Sequence, residues 1–140
     1  MIDSWSLAAK LGLPRVALLN DLAANAVGLP ELGPSDLVVI NAGEDDAEGN
    51  GGLISAGTGL GEAYLHREPD GSFRPLASEG GHTSFAPRDE HEIELLRFLT
   101  ARFGHVSYER ILSGPGIANL YAFERETSRI PEPAWLTEQI

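Results

Sequence analysis

Short continuous runs of apolar residues in the first half of the chain predict buried strands flanked by helices. Residues 15–20 and residues 37–41 are two such runs, and the pattern is typical of strands covered on both faces. Residues 5–13 and residues 21–27 favour helices, and Ser4 is expected to cap the first of them. The order helix, strand, helix predicts an α/β fold, in which ligands bind at the carboxyl ends of strands.

The middle of the chain carries turn-forming residues between further apolar segments. An acidic, glycine-rich run over residues 43–52 is predicted to be a surface loop. The segment GTGLG at residues 57–61 is expected to turn, and the tetrapeptide PDGS at residues 69–72 predicts a β-hairpin. Strands are predicted beside these turns, at residues 52–56, 62–66 and 73–76.

A long helix is predicted over residues 89–103. Acidic residues crowd its first turn, Gly104 ends it, and Ile93, Leu96 and Phe103 fall near one apolar stripe. Short helices are expected on both sides of the segment SGPG that follows, and the proline-containing tail is expected to be frayed.

Composition and charge limit the classes of function. The chain has 140 residues, 42% of them hydrophobic, which suffices for one modest core. A net charge of -11 argues against nucleic acid, because phosphates attract basic surfaces. Cysteine is absent, which excludes disulfides, and no apolar run approaches the roughly 18–20 residues that span a bilayer. We therefore expect a cytoplasmic protein that binds neither nucleic acid nor membrane.

The predicted elements do not make a complete domain. The chain opens on a lone helix, and its strands imply a mixed sheet larger than they can build. We therefore expect a partial α/β fold, a mixed sheet with flanking helices, that lacks both ends of a larger protein.

Asn20 and Asp21 are the first candidates for chemistry. A carboxylate at the end of a strand can accept a proton from a substrate hydroxyl, while a neighbouring amide fixes the substrate. Asn and Asp are also the commonest residues that cap a helix, and on local evidence this structural interpretation is the stronger one.

Residues 57–61 are candidates for binding phosphate. Glycines at alternate positions allow the backbone N–H groups to approach an anion, and Thr58 adds a hydroxyl donor. The segment is neither a Walker A motif nor a dinucleotide fingerprint, because no Gly-Lys-Ser/Thr follows and the next element is a strand. A tight hairpin turn is the alternative interpretation.

Glu79, His82 and Glu109 are further candidates. Glu79 and His82 are separated by two glycines, so a carboxylate and an imidazole leave one tight loop, as a sugar site requires. No second His or Cys lies at ligand spacing, so we predict no metal ligands in the chain. On local evidence a surface turn with incidental polar residues is the stronger interpretation of the loop, and a favourable position in the first turn of a helix suffices to explain Glu109.

The order of these motifs carries a family resemblance. Along the chain follow LND at 19–21, GTGLG at 57–61, EGGH at 79–82 with FAP at 85–87, GHVS at 104–107 with Glu109, LSGPG at 112–116 and NLY at 119–121. The set closely resembles the bacterial glucokinase family over nearly the whole chain.

The resemblance implies a fold and a reaction. Such glucokinases have the ribonuclease H-like fold of the hexokinase and actin-like ATPase group, with two α/β lobes. They transfer the γ-phosphoryl of ATP, bound with Mg²⁺, to the 6-hydroxyl of glucose. Residues 1–31 would be the end of the smaller lobe and residues 32–140 part of the larger one. The resemblance is also compatible with a homodimer of the enzyme.

The resemblance also implies roles for single residues. Asp21 matches the catalytic base and a substrate contact. The other sugar-contacting positions are Asn20, Glu79, His82 and Glu109. The second phosphate motif is matched by Gly57, Thr58, Gly59 and Gly61.

The chain departs from the family pattern at both ends. The first phosphate motif, an Asp-x-Gly-Gly-Thr turn, is absent, and so is the later adenosine-binding segment. The alternatives are therefore a non-catalytic sugar-binding module, an inactive fragment of a sugar kinase, and a kinase for another hexose. The absence of cysteine and of a helix-turn-helix argues against a DNA-binding sugar sensor.

Overall fold

The computed structural model describes residues 2–44, 48–128 and 131–137. The chain divides into two compact units. The first comprises the chain up to Leu53 together with Ala63–Ala77, and the second comprises Ile54–Glu62 together with the chain from Ser78 onward. In the described ranges, no helix has the length and apolar character that a membrane span requires.

Two short helices of the first unit begin at polar caps. In α1 (Ser4–Leu11) the cap is Asp3, whose Oδ1 accepts the N–H of Ser6 at 2.8 Å, so the predicted Ser4 cap is wrong. Asp3 is extended, as a cap requires, whereas Ser4 is already helical. The backbone N–H of Ser6, followed by its hydroxyl, lowers the pKa of the Asp3 carboxyl. The predicted helix at residues 21–27 is confirmed as α2 (Asp21–Gly28).

Both apolar runs of the first unit were expected to be strands, and this prediction is wrong. Neither residues 15–20 nor residues 37–41 pair with a strand in the described chain. Their side chains are largely open to solvent, with Leu19 68% and Ile40 97% exposed. A continuous apolar strand needs neighbours on both faces, and the described residues supply none.

The sheet has three strands in the order β1–β2–β3, with β1 at Gly51–Ala56, β2 at Leu60–Arg67 and β3 at Phe73–Ser78. It is antiparallel, whereas a mixed sheet was expected. Short turns join consecutive strands, and only antiparallel strands can be joined in this way. The predicted hairpin is confirmed: Gly71 has φ 86°, and Asp70 accepts the N–H of Ser72 at 2.9 Å.

The helices of the second unit carry its core. The predicted helix is confirmed as α3 (Glu90–Phe103), and α4 (Gly114–Thr127) has 14 residues rather than the few expected. A short α5 (Ala134–Thr137) follows. Ser113 caps α4, because its hydroxyl oxygen accepts the N–H of Gly116 at 3.1 Å.

The buried face of α3 differs from the expected stripe of Ile93, Leu96 and Phe103. Leu95 and Leu99 are the buried residues of α3, at 5% and 0% exposure, and Leu96 only flanks them. Packing against α4 decides which face of α3 is buried, and this packing cannot be predicted from the apolar pattern of α3 alone. The core cluster consists of Leu95, Leu99, Val106, Ile111 and Phe123.

We predict that Phe123→Ala lowers the free energy of unfolding by about 3–5 kcal/mol, since the ring is 1% exposed and packs on Phe98 and His91. Ile117→Ala on the same helix should change it by less than about 0.5 kcal/mol, because Ile117 is 68% exposed. Urea unfolding followed by helical circular dichroism measures both. Equal losses would contradict this assignment of the core.

Candidate functional site

Three short segments of the second unit are joined by backbone hydrogen bonds. They are the turn at residues 57–61, the loop at residues 79–85 and the segment at residues 105–114. The N–H of Gly114 donates to the carbonyl of Gly57 at 2.7 Å, which joins the third segment to the turn. Side chains from all three are thereby brought to one place.

The loop and the third segment are paired directly. The N–H of Phe85 donates to the carbonyl of Val106 at 2.9 Å, and the N–H of Tyr108 donates to the carbonyl of Thr83 at 3.0 Å. An isolated antiparallel bridge joins Ser84 to Ser107 between these bonds. His82 comes directly before Thr83, and Glu109 comes directly after Tyr108. Both residues therefore lie at the same end of this antiparallel pairing, which brings them together.

The turn and the loop meet backbone to backbone. A Cβ built on Gly81 would overlap the carbonyl oxygen of Leu60, so only glycine fits at this position. The loop EGGH thus contains a residue whose lack of a side chain brings Glu79 and His82 beside the turn. The two glycines are visible in the sequence, but the sequence does not show that Gly81 approaches Leu60.

An imidazole lies between two carboxylates in this site. Nε2 of His82 is 3.7 Å from Oε2 of Glu79, and Nδ1 of His82 is 3.7 Å from Oε1 of Glu109. Both separations exceed a hydrogen bond, so the groups face each other without being bonded. The side chains are 62% exposed for His82, 87% for Glu79 and 31% for Glu109, which leaves them open to a ligand.

Glu109 makes a contact that local sequence did not indicate. Its Oε2 accepts the N–H of Leu60 at 3.0 Å, across 49 residues of chain. The residue lies in a single 3-10 turn, Tyr108–Arg110, and the hydroxyl of Ser113 donates to its carbonyl at 2.7 Å. Its carboxylate is therefore held against the turn at residues 57–61.

One further polar contact was not anticipated from the sequence. Oγ of Ser84 lies 3.0 Å from Nε2 of His105, which ties the loop to the third segment through side chains. Local sequence does not indicate this pair, because Ser84 belongs to none of the motifs and His105, although part of the segment GHVS, lies 21 positions away.

Asn20 and Asp21 belong to the first unit and act locally as a helix start. Oδ1 of Asn20 accepts the N–H of Ala23 at 3.1 Å, so the capping interpretation is confirmed for Asn20. Oδ1 of Asp21 accepts the N–H of Leu22 at 2.8 Å. Both residues are exposed, and a role for Asp21 as base stays a prediction.

The turn at residues 57–61 has only some of its donors free. The N–H of Gly57 donates to the carbonyl of Gly59 at 2.8 Å, and Glu109 occupies the N–H of Leu60. Within the described chain, the N–H groups of Thr58 and Gly59 have no hydrogen-bond partner. Thr58 is exposed, and Gly61 lies in β2.

Comparison with known proteins gives one consistent family. A family model described as Glucokinase matches residues 1–140. A glucokinase of Chromobacterium violaceum is 48% identical over 111 residues, which is 79% of this chain and 32% of that protein. A glucokinase of a Synechocystis species is 43% identical over 121 residues, 85% of this chain and 34% of the relative.

Solved structures agree with the sequence matches. The crystal structure of a glucokinase from an Antarctic psychrotroph matches with a TM-score of 0.76 and 36% identity, over 92% of this chain and 40% of that one. A glucokinase from Balamuthia mandrillaris, solved in complex with glucose, matches with a TM-score of 0.59 over 79% of this chain and 36% of that one; at 24% identity it supports the fold alone. The chain spans about a third of the length of these curated relatives. On these matches, the chain belongs to the glucokinase family.

Proposed function

We propose that this chain supplies the sugar-binding residues, the general base and one phosphate-binding turn of an enzyme that phosphorylates glucose on its 6-hydroxyl at the expense of ATP. The observation that carries the proposal is the cluster of Glu79, His82 and Glu109 beside the turn at residues 57–61. The names of its relatives give additional support.

The cluster has the chemistry that a sugar requires. Two carboxylates accept hydrogen bonds from neighbouring hydroxyls, and an imidazole between them donates to or accepts from a third position on the ring. A misplaced hydroxyl leaves one of these groups unpaired, which costs about 1–3 kcal/mol and discriminates between hexoses. The exposure of Glu79 and His82 leaves both groups accessible to such a ligand.

Thr58 and Gly59 are the residues that fit a phosphate. Their N–H groups are unpaired in the described chain, and the exposed Thr58 also offers a hydroxyl. Mg²⁺ would arrive with the nucleotide, where it neutralises the phosphoryl charge, and we assign no residue of this chain to it. Gly57 and Gly61 complete the motif, but the N–H of Gly57 already donates to Gly59 and Gly61 lies in β2.

Asp21, with Asn20 beside it, is proposed to act on the reacting hydroxyl. Phosphoryl transfer needs mainly positioning and charge stabilisation, so the protein's part is to orient the 6-hydroxyl and accept its proton late. Oδ1 of Asp21 already accepts one N–H, which restricts how the carboxylate can turn.

Several wider assignments complete the proposal. The parent fold is ribonuclease H-like, residues 1–31 belong to its smaller lobe and residues 32–140 to its larger lobe. The enzyme is cytoplasmic and could act as a homodimer.

Glucose binding by the 140-residue chain tests the proposal. We expect saturable heat on calorimetric titration with glucose and none with galactose. Glu79→Ala should weaken binding about 10–100-fold, the loss of a hydrogen bond to a charged group, whereas Glu94→Ala on the exposed face of α3 should not change it. A folded chain that binds neither sugar, or both equally, would contradict the sugar-site assignment.

Asp21→Asn tests the base. In the full natural polypeptide that contains these residues, the variant should keep most of its glucose affinity, because the amide still forms hydrogen bonds. Its kcat should fall at least about a hundredfold, since the amide accepts no proton. Steady-state kinetics measures both quantities, and a near-normal kcat would remove Asp21 from the mechanism.

A further inference from the structure

Glu109 faces two different parts of the site with its two carboxylate oxygens. Oε2 accepts the N–H of Leu60 at 3.0 Å, within the turn at residues 57–61. Oε1 lies 3.7 Å from Nδ1 of His82, in the loop at residues 79–85. A sugar contact alone would require only one oxygen and no bond to the turn.

The bond to Leu60 satisfies a buried donor. Leu60 is 7% exposed, and an unpaired N–H at such a position costs about 1–3 kcal/mol. A carboxylate acceptor makes the bond charge-assisted and therefore stronger than a bond between neutral groups. The conformation of the turn consequently depends on where the Glu109 carboxylate lies.

Gly59 allows the carboxylate to lie there. A Cβ on Gly59 would be 2.7 Å from Oε2 of Glu109, closer than Cβ contacts occur in proteins, whereas a Cβ on Gly57 meets nothing within 4 Å. The other end of Glu109 is fixed as well, because the hydroxyl of Ser113 donates to its carbonyl at 2.7 Å. A side chain at position 59 must therefore displace the carboxylate.

We propose that Glu109 is a positioning residue that couples the phosphate turn to the sugar cluster. The identity of the two ligands, phosphate and sugar, rests on the function proposed above. By holding Leu60 with one oxygen and facing His82 with the other, Glu109 transmits a change in the turn to the imidazole. Because coupling between two binding sites is reciprocal, a ligand in the turn and a sugar at the cluster alter each other's affinity by the same factor.

A spectroscopic experiment without ligand tests the coupling. In ¹⁵N-labelled 140-residue chain, Gly59→Ala and Glu109→Ala should move the Leu60 amide proton upfield and speed its exchange with solvent at least about tenfold, the loss of about 1.4 kcal/mol of protection. Gly59→Ala should also shift the ring signals of His82. Gly52→Ala, where a Cβ also meets nothing within 4 Å and which lies outside the site, is the matched control and should leave the Leu60 amide and the His82 ring unchanged.

Glu109→Gln separates charge from shape. The amide keeps an acceptor oxygen for the Leu60 N–H, so the variant should fold and show a smaller upfield shift than Glu109→Ala. An unchanged Leu60 amide in Gly59→Ala, or a His82 ring that does not respond, would overturn the coupling whichever ligand the site takes.

Glucose affinity then separates this inference from the proposed function. Gly59→Ala should weaken glucose binding about fivefold or more, whereas Gly52→Ala, where a Cβ meets nothing within 4 Å, should not. Unaltered affinity in Gly59→Ala would overturn the coupling. A wild-type chain that binds no glucose but gives the expected spectral responses would refute the proposed function and support the positioning role of Glu109.

Discussion

The backbone of Leu60 is the point on which the candidate site depends. Its carbonyl lies against Gly81, where no side chain fits, and its N–H is held by the carboxylate of Glu109. One residue thereby fixes the loop that carries Glu79 and His82 and the segment that carries Glu109. These two contacts hold the loop and the segment, which also pair with each other directly, against the turn at residues 57–61.

The rest of the second unit supports this arrangement. The cluster around Phe123 and Leu99 includes Val106 and Ile111, which lie on either side of Glu109 in the chain. Packing of α3 against α4 therefore fixes the segment that delivers the carboxylate. The packing of the core and the position of the Glu109 carboxylate are linked through this segment.

Local chemistry in the sequence was sufficient to predict the elements that depend on it. α3 begins at the cap Asp89 and ends at Gly104, and the hairpin turns at Gly71; caps and turns involve residues adjacent in sequence. The strands expected at residues 15–20 and 37–41 do not form. A strand exists only with a partner, and local apolar character does not show whether a partner is present. α4 is longer than expected because glycine and proline at its start, which predict a break, fit the first turn of the helix.

The same distinction applies to the site. The spacing of Glu79 and His82 predicts that a carboxylate and an imidazole leave one loop, and the structure brings the two side chains within 3.7 Å. The bond between Glu109 and Leu60 joins residues 49 positions apart, so no local pattern could indicate it. For Asn20 the local sequence was sufficient, because its role as a helix cap could be predicted from its neighbours. That role does not decide the function of Asp21 beside it.

The central claim is that the three segments form one sugar site. A ¹H–¹⁵N spectrum of the 140-residue chain, recorded during a glucose titration, tests it most directly. The account predicts shifts in the amides of residues 57–61, 79–82 and 107–110 that saturate together with one dissociation constant. Shifts confined to one segment, or segments that saturate at different glucose concentrations, would contradict it.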